Sequence, residues 1–152
     1  MEKELLNSDK ELLLKDLCAR LPYGVKCKLI YNNKAIKDED ATLVGVDKYA
    51  HFLFAEFGED TRKFVCKPYL FPLSGMTEEQ LKGFYATIRP VIEEALDAWK
   101  FDKTEYEGGR PITLKDIKAD IVAVNWMLKN HFDMNGLIEK GLAIDCTNLN
   151  IY

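Results

Sequence analysis

The 152-residue chain is 47% hydrophobic and 30% charged, a balance that predicts one ordered globular domain whose core needs no covalent or metal staple. Its formal net charge of −4 provides no overall electrostatic footprint for a phosphate backbone, which disfavours nucleic acid as the partner. No run of about 18 apolar residues occurs, so no membrane span is expected, and the acidic start MEKELLNSDKELLLKDL lacks the apolar stretch of an export leader. Cys18, Cys27, Cys66 and Cys146 are far apart and include no C-x-x-C pair, which points to reduced, mostly buried thiols in a cytoplasm rather than to a disulfide framework.

Ser8-Asp-Lys-Glu11 has the capping-box form ahead of Leu12-Leu13-Leu14, so a helix is expected from about residue 9 to residue 20, with Leu13, Leu14, Leu17, Cys18 and Leu21 as its apolar stripe. Leu-Pro22-Tyr-Gly24 ends it. Val25 to Tyr31 alternates apolar and cationic residues, which puts Val25, Cys27, Leu29 and Tyr31 on the core face of a strand. Asn32-Asn33 and the charged run Lys37-Asp-Glu-Asp40 read as turn and loop. Ala41–Val46, His51–Phe57 and Thr61–Lys67 read as three further strands, the last two joined by Gly58-Glu-Asp60.

After a connector with two prolines, Lys67–Gly75, the pattern Thr77-Glu-Glu-Gln80 caps a second helix that runs to about Trp99. Leu81, Phe84 or Tyr85, Ile88, Ile92, Leu96 and Trp99 form its stripe, and Pro90 is expected to kink or divide it. Residues 101–111 read as loop. Thr113 and Asp116 begin a third helix, about 114–130, striped by Ile117, Ile121, Val124 and Leu128. The expected fold is a single α+β domain over residues 1–152. It has an N-terminal helix, a small, mainly antiparallel four-stranded sheet and two or three C-terminal helices.

With LCARLPYGVK at 17–26, KPYLFPLSGMTEE at 67–79 and NHFDMNGLIEKGLA at 130–143, the chain resembles a group of short, uncharacterised proteins of gut Bacteroidales-type bacteria and of their phages and mobile elements. The similarity spans nearly the whole chain, and the order of the three blocks is its specific part. In that group the second block more often carries arginine where Phe71 stands. The third block there more often has two histidines and a Tyr-Arg where Asn130, Met134 and Asn135 stand. The resemblance therefore implies a phage or mobile-element context but no arginine or paired-histidine site, and it brings no activity with it.

His131-Phe-Asp133 admits two readings. A helical zinc site needs two histidines at i, i+4 and a third ligand, and a catalytic histidine needs an oriented partner; only the carboxylate is nearby. In the other reading a cationic His131 ends the third helix at the negative end of its dipole. Asp133 then caps a turn over Asn135–Lys140 that stops at Gly141. A hydrolase using His131, Asp133 and His51 would require the fold to join distant positions. Glu78-Glu79 and Glu93-Glu94 suit helix first turns or solvent faces, and Gly108-Gly-Arg-Pro111 lacks the spacing of a phosphate loop. Arg20 could activate the Cys18 thiol only if that thiol were exposed. Neither a metal nor a cofactor nor an enzyme activity is expected, because no complete catalytic or ligand spacing is present.

One excess stands out. Phe52, Phe54, Tyr69 and Phe71 supply large aromatic area of the kind that interfaces use, so they are the candidate surface for a protein partner or for self-association. A nucleic-acid-binding alternative would need Lys26, Lys28, Lys63 and Lys67 to gather on one face.

Overall fold

The computed structural model describes residues 7–31, 34–56, 64–101 and 114–152. The expected hairpin at 58–60, Lys63 and the 108–111 loop lie outside the described residues. The chain forms two compact units, Met1–Gly75 with His131–Tyr152, and Met76–Asn130. Among the described residues no helix is long and apolar enough to cross a membrane.

In the first unit, α1 (Asn7–Arg20) precedes β1 (Lys26–Tyr31), β2 (Lys34–Val46), β3 (Phe52–Phe54) and β4 (Phe64–Pro72). α1 already includes Asn7, so Ser8 lies within its first described turn and not at its cap. Pro22 and Gly24, the latter at φ 63°, turn the chain from α1 into β1. Two short strands, β5 (Phe132–Asp133) and β6 (Ile144–Asp145), complete a sheet of order β3-β2-β1-β4-β5, with β6 also on β4. The first three pairings are antiparallel, while β5 and β6 run parallel to β4. The sheet is therefore mixed and six-stranded: its main part is antiparallel as expected, and two short parallel strands on β4 raise it above the four strands expected. The two added strands are two residues each, too short to carry a periodic signal.

The expected loop at 37–40 also changes character, since β2 runs through it. Asp40 stands directly across from Lys28, and an opposite-charge cross-strand pair makes an acidic residue acceptable on a strand. Strand alternation then sorts the faces. Cys27 and Leu29 of β1, Ala41 and Leu43 of β2, Phe54 of β3, and Cys66 and Leu70 of β4 enter one core with Leu13 and Leu17 of α1. Leu137, Leu142 and Ala143 from the segment after β5 close the same core. A fully buried side chain such as Leu17 contributes roughly 1.5–3 kcal/mol.

The second unit contains α2 (Glu78–Phe101) and α3 (Leu114–Lys129). The cap at α2 is as the sequence indicates. The Gln80 amide donates to Thr77 Oγ1 at 3.2 Å, and the Thr77 amide donates to Gln80 Oε1 at 2.8 Å. A Thr77→Ala variant is expected to lose about 1 kcal/mol of stability, read as a lower urea midpoint. Pro90 does not divide α2; it removes a single intrahelical bond from a long helix.

The helices turn an unexpected face to each other. Phe84 meets Trp126 edge-on, ring centroids 5.2 Å apart, and Gly83 lies beside that indole, where a Cβ would stand 3.8 Å from Trp126 Cζ2 in ordinary van der Waals contact. The periodic stripes are left mostly outside. Leu81, Tyr85 and Ile92 of α2 are 41%, 57% and 40% exposed, and Ile117, Ile121 and Val124 of α3 are 46%, 53% and 45% exposed. Ile88 and Leu128 alone of those two stripes' described members are buried.

Candidate functional site

The last turn of α1 places Asp16 and Arg20 at i, i+4, and both side chains are buried. Arg20 Nε donates to Asp16 Oδ2 at 2.6 Å, while Nη2 donates to Asp16 Oδ1 at 3.2 Å and to the Phe132 carbonyl at 2.7 Å. Asn135 Nδ2 donates to Asp16 Oδ1 at 2.8 Å. A guanidinium removed from water requires such bidentate pairing to offset its desolvation. The ion pair thus clamps the end of α1 to β5.

Asp133 anchors the turn that follows. Its Oδ1 accepts the amides of Asn135 (3.2 Å) and Leu137 (3.0 Å), and its Oδ2 accepts that of Ile138 (2.9 Å). Gly136 and Gly141, at φ 68° and 71°, take the left-handed conformations that the turn needs. The capping reading of this stretch therefore holds for Asp133, whose carboxylate is committed to backbone amides. It fails for His131 as a cation. The ring stacks on Tyr152 with centroids 3.7 Å apart and planes 8° from parallel, and burial, then the nearby Arg20 charge, push its pKa down to about 4. His131 is neutral at pH 7, at φ 62°, and its Nδ1 has no hydrogen-bond partner among the described residues.

Tyr152 completes the arrangement by linking two strands. Its hydroxyl donates to the Tyr69 carbonyl at 2.9 Å and accepts the Lys26 amide at 3.0 Å, and burial holds its proton on well above the usual phenol range. The Phe71 amide donates to the His131 carbonyl and the Cys146 amide to the Leu70 carbonyl, at 2.9 and 3.0 Å. Residues from all three sequence blocks therefore meet around β4 and β5. The thiols nearby are inert: burial, then the neighbouring Cys66, raises the Cys27 pKa, and burial raises Cys146 to about 11. Cys18 is exposed, but Arg20, spent on Asp16 and Phe132, is turned into the interior.

His131 also sets a pH dependence. Because its folded pKa lies below 6.5, the unfolded chain binds a proton between 6.5 and about 4 that the folded chain does not. Its contribution to stability is present above pH 6.5 and lost as pH falls through that window. In a His131→Phe variant, which retains a stackable ring, the gap between urea midpoints at about pH 5 and about pH 7.5 is expected to narrow.

The remaining expected site residues do not form a surface. Phe54 and Tyr69 are buried, at 4% and 6% exposure, and Phe52 is half-buried against the same core. Phe71 is half-buried between Phe132 and Tyr152, with centroids at 6.0 and 6.1 Å. The aromatic excess is thus largely interior packing, which corrects the expectation that it forms the binding face. His51 pairs through Nδ1 with Asp47 Oδ2 at 3.0 Å beside β3, and the His51 amide first among several donors holds the Asp47 carboxyl below its usual range. β3 and β5 stand four strand spacings apart, roughly 19 Å, so His51 and His131 do not assemble.

Three of the four lysines weighed for nucleic acid do share the sheet face opposite the core. Lys28 stands directly across from Lys67, with Lys26 two residues along β1. Asp40 flanks Lys28 on its other side, and Lys26 Nζ donates to the Ile151 carbonyl at 2.9 Å. Among the described residues no three His, Cys, Asp or Glu side chains stand close enough to hold a metal ion.

Sequence reasoning passed over Asp16 and Tyr152, weighed Arg20 only as a neighbour of Cys18 and Asn135 only as part of a turn, and so missed the ion pair and its partners. Arg20 carried a legible signal, because it lies three residues after Leu17 and seven after Leu13, on the buried stripe. Exposed apolar side chains occur in the first unit too, Val44, Tyr49 and Leu53 among them, but those at regular helical spacing are on the second, where α2 and α3 expose their apolar stripes. Around Tyr85, Ile88 and Ile92 that surface includes an open depression of about 610 Å³ bordered by Lys82, Arg89 and Glu93. Compared with known proteins, the chain matches no family model, no curated protein and no solved structure.

Proposed function

We propose that this chain is a non-enzymatic accessory protein of a phage or mobile element that works by binding a protein, in host-factor or defence modulation or in assembly, through its α2–α3 unit. The observation that carries the reading is the exposure of six large apolar residues at helical spacing: Leu81, Tyr85 and Ile92 on one helix, Ile117, Ile121 and Val124 on the other. Solvent-exposed apolar stripes of this regularity mark association surfaces more often than chance exposure does. The phage or mobile-element setting comes from the resemblance of the three sequence blocks.

The polar residues support binding over chemistry. Asp133 is saturated by amides, His131 is stacked and neutral, and His51 lies at the other edge of the sheet, so the hydrolase alternative lacks an assembled acid–base pair. The nucleic-acid alternative is weakened by Asp40 beside Lys28 and by the engagement of Lys26. Affinity capture from host lysate, wild type against Ile121→Asp, tests the reading. A partner retained by the wild type and released by the variant is expected; identical captured sets would sink the assignment to α2–α3, and binding to DNA that collapses between low and moderate salt would favour the nucleic-acid alternative.

A further inference from the structure

We infer that the occupant of the exposed helical face is a second copy of this chain, packed hairpin against hairpin about a two-fold axis. The inference rests on the reading that α2–α3 is the interaction unit, and it names the partner.

Two helices alone bury one face each. Here that face is the Phe84–Trp126 contact beside Gly83, yet each helix carries a second apolar row. Leu81, Tyr85, Ile88 and Ile92 recur at i, i+4, i+7 and i+11, and so do Ile117, Ile121, Val124 and Leu128. That is the seam spacing of helices with neighbours on more than one side. A helical hairpin whose seams are covered only at Ile88 and Leu128 reaches a closed arrangement by adding another hairpin, as in four-helix bundles.

The area agrees with a copy of itself. Six residues exposed by 40–57% leave roughly 550 Å² of mostly apolar surface per chain, so a two-fold contact removes about 1,100 Å² in total, at the lower limit for a specific interface. A two-fold contact presents the same patch from both sides, so each copy brings the apolar area that the other lacks. Charge does not oppose it. Lys82 and Glu78 pair at 2.9 Å and Arg89 and Glu93 at 3.5 Å within α2, so the border presents internally neutralised pairs and not a block of one sign. An interface this close to the lower limit associates reversibly, so the dimer is concentration-dependent.

Light scattering and sedimentation of the full chain from about 5 to about 200 μM measure this directly. The weight-average mass is expected to rise toward twice 17.5 kDa in the wild type and to remain at 17.5 kDa in Ile121→Asp and in Tyr85→Glu. Both variants replace residues more than half exposed, and unchanged far-ultraviolet circular dichroism confirms that they fold. A wild type that stays monomeric throughout overturns the inference, as does an unaltered dimer in both variants. The two readings fail separately: a monomeric wild type that still captures a host protein through Ile121 removes self-association and leaves protein binding intact.

Discussion

Replacing Arg20 with methionine is expected to cost about 3–5 kcal/mol and to leave the first unit largely unfolded at moderate urea. The side chain has 0% exposure, so its loss leaves the Asp16 carboxylate buried beside only Asn135 and deprives the Phe132 carbonyl of its 2.7 Å donor. A buried carboxylate without its counter-ion is far more costly than the pair is stabilising. Asp16→Leu should be comparably harmful for the mirror-image reason. The double variant Asp16→Leu/Arg20→Met should lose markedly less than the sum, because no unpaired charge remains. Urea denaturation of the four proteins measures the coupling; additive losses would show that the pair acts as two independent contacts.

The second large effect is at Asp133. Its two oxygens accept three amides within 2.9–3.2 Å, and truncation to alanine leaves at least the buried Leu137 amide without its acceptor. The expected loss is about 2–4 kcal/mol. Asparagine retains one acceptor oxygen and should lose less. The segment from Leu137 to Ala143 supplies core side chains, so the damage is expected as faster amide exchange at Leu137 and Ile138 ahead of global unfolding.

What the sequence showed clearly was local. The Thr77–Gln80 cap is written in four consecutive residues, and the alternation of Val25 to Leu29 identifies its own core face. The Asp133 turn was legible for the same reason, since an acidic residue followed by Gly136 and Gly141 describes its own closure. Long-range choices were not legible. Nothing within α2 or α3 says that Phe84 and Trp126 will meet across Gly83 while the better periodic stripes stay outside, because that outcome depends on how two helices fit together. Nor does anything local tell that Tyr69 and Phe54 are interior, since a strand of mixed aromatic pattern can hide either face. His131 read as a helix-terminal cation because its stacking partner, Tyr152, lies far along the chain.

The first unit is discontinuous, and this bears on the order in which the molecule can form. β4 is complete at Pro72, but its parallel partners β5 and β6 begin only at Phe132 and Ile144. During synthesis, α2 and α3 emerge as one uninterrupted segment and can pair through local contacts while the sheet still lacks one edge. The sheet must wait for the return of the chain, and that closure carries the entropy of a long loop. Folding is therefore expected to proceed in two phases, a rapid one in the helices and a slower one in which Arg20 finds Phe132. An early helix pair would shorten the effective loop and so hasten the second phase.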